Sequence, residues 1–355
     1  MKPEWKAFLI DNGAEFGDDN DYEVQSFGNP ERERRVTLSG NVICDLSHKG
    51  LMQVYGADAR TFLQNQLTND INRVDERHSV LAAHCNPKGR VLALFRVFQR
   101  GDTFYLSTSR DVLEDSLQRL QKYVLMSKVT LEDANDALVR LGLSGPQAEE
   151  ELQAAGLTVP EGDGGVEQVA GYSVIRLPGL FPRFEIYGEL EPMQRLWDKL
   201  NVRCAPVGAP AWRLLEIMAG IPLVVKATEG LFVPQMINLD LIDGVSFTKG
   251  CYPGQEIVAR TRYLGKLKRR MYRLHFDTDQ LPAPGTPLYS PADETRQPIG
   301  HIVSAAPHPD GGVAALAVVT IRFVEAGAPL TLGAPDGLAG SLQYPPYEIP
   351  APERE

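Results

Sequence analysis

The chain has 355 residues, 43% of them hydrophobic and 23% charged, which is the composition of a globular protein with two or three domains. Its formal net charge of −10 argues against a surface devoted to DNA or other nucleic acid. No apolar run reaches the length of a membrane span, and the N-terminus resembles neither a secretory signal nor a transit peptide, so we expect a cytoplasmic protein. The 4 cysteines form no CxxC pair and the 6 histidines have no ligand-like spacing, so we expect neither a disulfide framework nor a metal site.

Residues 1–35 are acidic and weakly periodic, with the run Asp18-Asp19-Asn20-Asp21 at their centre. We expect a solvated extension that carries at most a short helix from Trp5 to Ile10.

The first predicted unit spans residues 36–144. It combines a strand from Leu51 to Tyr55 with a helix that begins at Asp58. Hairpins are predicted around the turns Asn86 to Gly89 and Arg100 to Asp102, and an amphipathic helix from Ser109 to Leu125.

The second predicted unit spans residues 145–265, begins at Gly145-Pro146, and includes a helix from Ala211 to Ala219. In residues 266–355, short strands separated by Gly and Pro turns predict a small β-barrel or sandwich and a tail. Because the strands and helices do not alternate in βαβ fashion, the predicted fold class is α+β rather than a doubly wound sheet.

The sharpest chemical signal is the stretch from Lys249 to Glu256, which reads Lys-Gly-Cys-Tyr-Pro-Gly-Gln-Glu. Gly250 and Gly254 permit backbone conformations or close approaches that a side chain would block. The pattern predicts a strand ending near Lys249, a tight connection through Cys251 and a helix from about Gly254. The helix dipole and Lys249 would then favour the thiolate form of Cys251, whereas the alternative interpretation is a buried structural thiol.

Glu216 is a carboxylate on a largely apolar helix, and Trp212 lies one turn earlier on the same face. A buried carboxylate must find hydrogen-bond partners. The pair suits a planar heterocycle with donor groups, and the alternative is ordinary core packing with an arginine partner. The sequence has no phosphate-binding loop, HExxH motif or GxSxG motif.

A basic run follows the motif, and no carboxylate occurs between Glu256 and Asp277. Its members are Arg260, Arg262, Lys266, Lys268, Arg269, Arg270 and Arg273. This positive island is either a solvated face or a site for a polyanion such as a polyglutamate tail, RNA phosphates or an acidic protein.

The stretch from Lys249 to Glu256 resembles the signature of YgfZ-type folate-binding proteins, which are related to the aminomethyltransferase (T-protein) of the glycine cleavage system. The resemblance runs from about Asp45 to Leu342 and includes Phe62 to Asp70 and Glu216 to Pro222. It implies a T-protein-like ring of three domains with a C-terminal β-barrel, in which tetrahydrofolate binds inside a central opening and residues 36–144 form the first folate-binding domain.

The resemblance also implies roles for single residues. Cys251 would be a reactive thiol with Lys249 beside it, Glu216 would hold the pterin ring, and Trp212 would contact the ligand. The further folate-binding residues that it implies are Tyr252, Gln255, Glu256 and Arg262.

The implied function is that of an accessory protein for iron–sulfur cluster assembly or repair, and through it for tRNA modification. Its partners would be folate and iron–sulfur proteins such as tRNA-thiolating enzymes, and direct contact with tRNA is left open. Aminomethyltransferases carry a catalytic aspartate pair where this chain has Ala93-Leu94, so conventional enzymatic turnover is not expected. Two alternatives remain: a folate-dependent one-carbon transferase, and an RNA-binding or scaffold protein that uses the basic island.

Overall fold

A computed structural model describes residues 1–17, 20–263 and 267–350. Part of the acidic run (Asp18 and Asp19) and Lys266 of the basic island therefore lie outside the described residues. The helices are α1 (Pro3–Asp11), α2 (Pro30–Thr37), α3 (Ala59–Gln66), α4 (Leu113–Gln121), α5 (Ala148–Ala154), α6 (Leu190–Leu200), α7 (Ala209–Met218), α8 (Gln255–Tyr263) and α9 (Ile321–Glu325). Short 3-10 turns lie at Ile71–Arg73, Arg110–Val112, Lys226–Thr228 and Pro234–Ile237.

The strands form two open sheets, a barrel and a small N-terminal pair. They are β1 (Glu15–Gly17), β2 (Asn20–Ser26), β3 (Val42–Asp45), β4 (Lys49–Tyr55), β5 (Val80–Cys85), β6 (Val91–Arg100), β7 (Thr103–Ser109), β8 (Thr130–Asp133), β9 (Val139–Ser144), β10 (Val166–Val169), β11 (Tyr172–Leu177), β12 (Arg183–Gly188), β13 (Ala205–Val207), β14 (Arg269–Phe276), β15 (Pro287–Tyr289), β16 (Gly300–Pro307), β17 (Val313–Thr320), β18 (Leu330–Leu332) and β19 (Leu338–Gln343).

The first sheet is antiparallel, with the strand order β5-β6-β7-β4-β8. Phe62 and Leu63 of α3 and Leu120 of α4 pack against one of its faces. The predicted turn after β5 is present: the Asn86 side chain accepts two backbone N–H groups, and Gly89 takes a φ of +68°. These elements confirm the predicted hairpin series.

The second sheet has the order β10-β11-β12-β9-β3-β13, in which β13 runs parallel to β3 and the other neighbours are antiparallel. It crosses the predicted boundary at Gly145, because β3 and β9 precede that residue and β10 to β13 follow it. Gly145-Pro146 forms the connection from β9 to α5.

The N-terminal segment packs on the second sheet. Trp5 and Leu9 of α1 are buried, and the Trp5 ring meets Trp197 of α6 edge-on at 6.0 Å. The Trp5 indole donates a hydrogen bond of 2.7 Å to buried Asp45. The prediction of a solvated extension is therefore wrong, because the acidic average of residues 1–35 hides the apolar face of α1.

The third unit is a closed barrel with the order β14-β17-β16-β15-β18-β19, which β14 closes by pairing with both β17 and β19. It confirms the predicted C-terminal β-barrel and the α+β class. The segment after β19 is anchored, since half-buried Tyr347 donates to the carbonyl of Gly220 at 2.8 Å. Among the described residues, no helix combines the length and apolar character needed to cross a membrane.

Candidate functional site

Helix α7 lies between the second sheet and the barrel. Pro210 occupies its first turn, and Gly220 follows its end with a φ of +69°. Leu214 packs toward the barrel and Leu215 toward the second sheet. The carboxylate of Glu216 occupies another face, where 15% of its side chain is exposed.

Glu216 is held by a lysine that precedes it by 167 residues. Lys49 Nζ lies 2.6 Å from Glu216 Oε1 and 2.7 Å from Oε1 of Glu185 on β12. Burial alone would lower the pKa of Lys49, but the two carboxylates raise it above its usual value. Burial works to raise the pKa of Glu185, and Lys49 outweighs it so that the pKa is lowered. One lysine thus ties β4, β12 and α7 together.

Glu216 borders two of three adjoining cavities. The outer cavity of about 620 Å³ is lined by His78, Arg96, Leu177, Phe181, Asp243 and Tyr347, among others. The inner cavity of about 70 Å³ is lined by Lys49, Leu94, Arg96, Arg183, Glu185 and Glu216, among others. The rear pocket of about 200 Å³ is lined by Tyr22, Glu23, His48, Lys49, Arg213 and Glu216, among others.

The three cavities adjoin one another. The outer and inner cavities share Leu81, Arg96, Leu177 and Ile221, and the inner cavity and rear pocket share Lys49, Ser109, Glu216 and Leu223. Both open sheets and α7 contribute walls. Adjoining cavities with apolar walls and a few convergent polar groups are typical of a small-molecule site.

Two arginines complete the polar wall of the inner cavity. Arg183 of β12 is 2% exposed, and its Nε and Nη1 atoms are buried without a hydrogen-bond partner. The half-buried side chain of Arg96 on β6 has no hydrogen-bond or ion-pair partner among the described residues. Burial lowers the pKa of both guanidinium groups. Arginine remains charged in proteins, so the cavity presents two cations.

Trp212 does not line any of the three cavities. Its side chain is 0% exposed, and its ring lies so close to Gly142 that a methyl group there would come within 2.4 Å of it. Its face of α7 packs into the second sheet, and the contact between Trp212 and a ligand stays a prediction. The Trp212 ring instead lies under the Arg183 guanidinium, 5.5 Å from its carbon.

The motif from Lys249 to Glu256 lies beside the turn between β5 and β6. The predicted helix is present as α8, but the predicted strand ending near Lys249 is wrong, since residues 244–252 form an irregular loop. Lys249 Nζ donates to the carbonyl oxygens of Gln64, Leu67 and Asn69 at 2.5, 2.6 and 2.9 Å. Its three donors therefore secure the end of α3.

The other motif residues lie outside the three cavities. Cys251 and Glu256 are exposed, Tyr252 is buried under the ammonium group of Lys249 at 5.3 Å, and Gln255 donates to the Gly250 carbonyl at 3.4 Å. Exposed Arg262 stacks over the Phe247 ring at 4.3 Å. The structure separates this group from Glu216, so the folate-binding roles of Tyr252, Gln255, Glu256 and Arg262 stay predictions.

Comparisons with known proteins place the chain. The profile of the GCVT N-terminal domain matches residues 6–161. The tRNA-modifying protein YgfZ of Yersinia pestis (strain Pestoides F) is 34% identical over 277 residues, covering 78% of this chain and 84% of that protein. The tRNA-modifying protein YgfZ of Colwellia psychrerythraea (strain 34H / ATCC BAA-681) is 36% identical over 243 residues, covering 68% of this chain and 74% of that protein. The chain belongs to the YgfZ family.

The fold is also that of a solved structure. The glycine cleavage system aminomethyltransferase T from Bartonella henselae superposes with a TM-score of 0.73 over 95% of both chains, at 20% identity. The predicted resemblance and the T-protein-like fold are thus confirmed.

The Ala93-Leu94 position lies at the cavities of this YgfZ family member. Ala93 is buried in the core of the first sheet, and Leu94 lines the inner cavity. The inner cavity therefore has an apolar wall where the resemblance placed an aspartate pair in aminomethyltransferases.

The basic island is not one surface. Arg270 is 9% exposed and forms a two-pronged ion pair with Asp240, with N–O distances of 2.6 and 2.9 Å. Arg273 donates to the Gln343 side chain at 3.0 Å. Alternation along β14 places Arg270 and Arg273 on opposite faces of the strand, and each is engaged by groups of this chain.

Sequence reasoning missed four residues of the inner cavity: Lys49, Arg96, Arg183 and Glu185. One signal was available for two of them. Arg183 and Glu185 alternate with Phe184 and Ile186, and strand alternation places the two charges on one face of β12. Within the described part of the chain, no group of three or more His, Cys, Asp or Glu side chains is arranged to hold a metal ion.

Proposed function

We propose that the chain binds tetrahydrofolate in the inner and outer cavities and acts as an accessory protein in tRNA modification, through the assembly or repair of iron–sulfur clusters. The observation that carries the binding proposal is the position of Glu216 at the narrow end of a mostly apolar space. Oε2 of Glu216 has no hydrogen-bond partner among the described residues, while Oε1 is held by Lys49. A fixed carboxylate with one free oxygen suits the donor edge of a pterin ring.

The residues present fit such a ligand. Leu81, Leu94 and Leu177 supply apolar walls for a flat ring, and the outer cavity of about 620 Å³ is large enough for the remainder of the molecule. Tetrahydrofolate would supply a one-carbon carrier, and this chain's residues would bind it, orient it and exclude water.

The accessory role rests on family membership. Relatives are named tRNA-modifying proteins. A conventional aminomethyl transfer needs a group near the reacting amine that holds its proton. Leu94 offers none in the inner cavity. The alternative, a folate-dependent one-carbon transferase, would reveal itself by sustained formaldehyde release or uptake on tetrahydrofolate, and such turnover would overturn the accessory role.

Binding is tested by calorimetric titration of tetrahydrofolate under anaerobic conditions. We expect Glu216→Gln to weaken binding by about tenfold or more, since a charge-assisted hydrogen bond is lost. Glu256→Gln is the matched control: it removes an exposed carboxylate of the motif and should leave the affinity unchanged. If only Glu256→Gln weakens binding, the ligand lies at the motif and the central site is wrong.

Cys251 is proposed as a reactive thiol that serves clients with iron–sulfur clusters, such as tRNA-thiolating enzymes. It is exposed, so a partner protein can reach it. In a bacterial strain lacking its own family member, the wild-type chain should restore thiolated tRNA nucleosides and Cys251→Ala should not. Full rescue by the alanine variant would remove Cys251 from the proposal, and binding data on the same variant would show whether the folate site is intact.

A further inference from the structure

The inner cavity contains more positive charge than its own carboxylates can satisfy. Arg183 has two buried nitrogen atoms without a hydrogen-bond partner, and the half-buried side chain of Arg96 has no hydrogen-bond or ion-pair partner among the described residues. A buried donor left without an acceptor is costly, and native structures rarely keep one without a reason.

Arg270 and Arg140, which are buried elsewhere in the chain, have acceptors within it. Arg270 is paired with both oxygens of Asp240. Arg140 reaches the side chain and carbonyl of Asn135 at 3.5 and 3.4 Å, and among its nitrogen atoms only Nε is buried without a partner. Arg183 differs from both, because two of its nitrogen atoms are buried without a partner and it lines a cavity. Its missing acceptor is therefore expected from outside the chain.

The two carboxylates of the inner cavity are already engaged. Glu185 is bonded through one oxygen to Lys49 and through the other to the Tyr187 hydroxyl, each at 2.7 Å. Glu216 is bonded to Lys49 through Oε1. The three cations of the cavity (Lys49, Arg96 and Arg183) thus face two carboxylates. Lys49 is paired with both carboxylates, so the surplus positive charge lies on the two arginines. The narrow cavity thus offers one unpaired carboxylate oxygen, that of Glu216, beside the donors of Arg183.

We propose that Arg183, supported by Arg96, donates hydrogen bonds to the 4-oxo edge of the bound pterin and so selects oxo-pterins over 4-amino analogues. In a pterin, the oxo group is the direct neighbour of the ring N–H and amino donors. A ligand whose donor edge meets Glu216 therefore places an acceptor where Arg183 lacks one. Trp212 is the positioning residue beneath the Arg183 guanidinium. This inference rests on the proposed folate site.

The test uses folic acid and aminopterin, which differ at ring position 4 by an oxo group against an amino group and at N3, which carries a hydrogen only in folic acid. Both affinities are measured by calorimetry on the same protein sample, at a mildly alkaline pH at which neither ring is protonated. The ratio of the two affinities cancels any loss of folded protein. We expect the wild type to prefer folic acid by about tenfold or more, because an amino donor would leave the guanidinium unsatisfied.

In Arg183→Met the preference should fall, mainly through weaker binding of folic acid, and the part that comes from the N3 hydrogen facing Glu216 should remain. Arg140→Met is the matched control, because Arg140 is 1% exposed and lines none of the three cavities, and it should keep the wild-type ratio. Equal affinity of the wild type for both ligands, or an unchanged ratio in Arg183→Met, overturns the inference while leaving the folate site standing. Binding of neither folic acid nor tetrahydrofolate overturns the proposed function, and the inference falls with it.

Discussion

The cysteines of this chain occupy two kinds of environment. Cys44, Cys85 and Cys204 are buried, and burial raises the pKa of Cys85 and of Cys204 to about 12. Burial also lowers the pKa of neighbouring His84 to about 4. Both members of the His84-Cys85 pair are therefore neutral near pH 7, which excludes a thiolate–imidazolium pair there. Cys251 is the exposed thiol among the four.

His84 makes stability depend on pH. Its folded pKa of about 4 lies below the ordinary value of 6.5, so its contribution is complete above pH 6.5 and is lost as the pH falls toward 4. Between pH 6.5 and pH 4, the free energy of unfolding of the wild type should fall by about 3 kcal/mol relative to that of His84→Phe, at about 1.4 kcal/mol per pH unit. Urea unfolding of both proteins at several pH values measures this difference. The partly exposed His78, changed to Gln, is the control with the smaller effect, and parallel curves for the wild type and His84→Phe would contradict the burial argument.

At the level of elements, the motif packs the start of α8 against the turn that follows β5. Gly254 has a φ of +80°, and a Cβ atom there would lie 2.5 Å from the Asn86 carbonyl oxygen and 2.7 Å from Gly89. Gly250 has no atom within 4 Å of its would-be Cβ. A backbone conformation or close approach that requires glycine was predicted at both positions, and the structure has the close approach at Gly254 alone of the two.

Gly254→Ala should therefore destabilise the protein by about 2–4 kcal/mol, through a left-handed backbone and a clash with the β5–β6 turn. Gly250→Ala should change stability by less than about 0.5 kcal/mol. Gly101→Ala separates the two causes, because Gly101 has a φ of +57° with open space around it and should cost only about 1–2 kcal/mol. The measurement is the free energy of unfolding in urea. A Gly254→Ala variant no less stable than Gly101→Ala would show that the turn yields to the added methyl group.

The sequence predicted local elements well and the site only in part. Periodicity and turn residues were enough for α7, α8, the hairpins and the barrel, and they placed Glu216 on a helix. They could not place Lys49, because it meets Glu216 across 167 residues, or decide which face of α7 packs into the sheet. For that reason they could not show that Trp212 is buried against the second sheet. They also could not show that the second sheet crosses the predicted boundary at Gly145, because β3 pairs with strands formed mostly by later residues.

At the scale of the whole molecule, segments far apart in sequence close the central space. Tyr22 and Glu23 of the N-terminal segment line the rear pocket, while Tyr347 lines the outer cavity. The same N-terminal segment caps α7, since Glu33 Oε2 accepts a 2.9 Å hydrogen bond from the Gly208 N–H. Residues 1–35, for which composition predicted a solvated extension, therefore support the helix that carries Glu216.

Trp5 is the anchor of that segment, and its removal tests the assignment. Trp5→Ala should destabilise the protein by about 3–5 kcal/mol, because it leaves a cavity beside Trp197 and removes the donor that satisfies buried Asp45. Trp5→Phe keeps most of the volume and loses the indole donor, so it should cost about 1–3 kcal/mol.

Ile10→Ala is the matched control on the same helix, because Ile10 is 51% exposed, and it should cost less than about 0.5 kcal/mol. Urea unfolding measures the stability of all three variants. Tetrahydrofolate titration of those that remain folded shows whether loss of the Trp5 contacts also weakens ligand binding. If Trp5→Ala unfolds no more easily than Ile10→Ala, α1 does not belong to the core of the second sheet. Loss of stability together with weaker folate binding is expected, since burial raises the pKa of Asp45 and the Trp5 hydrogen bond opposes that rise. Without that bond the ionised Asp45 side chain is less stable. Asp45 ends β3, which pairs with β13, and β13 leads into α7.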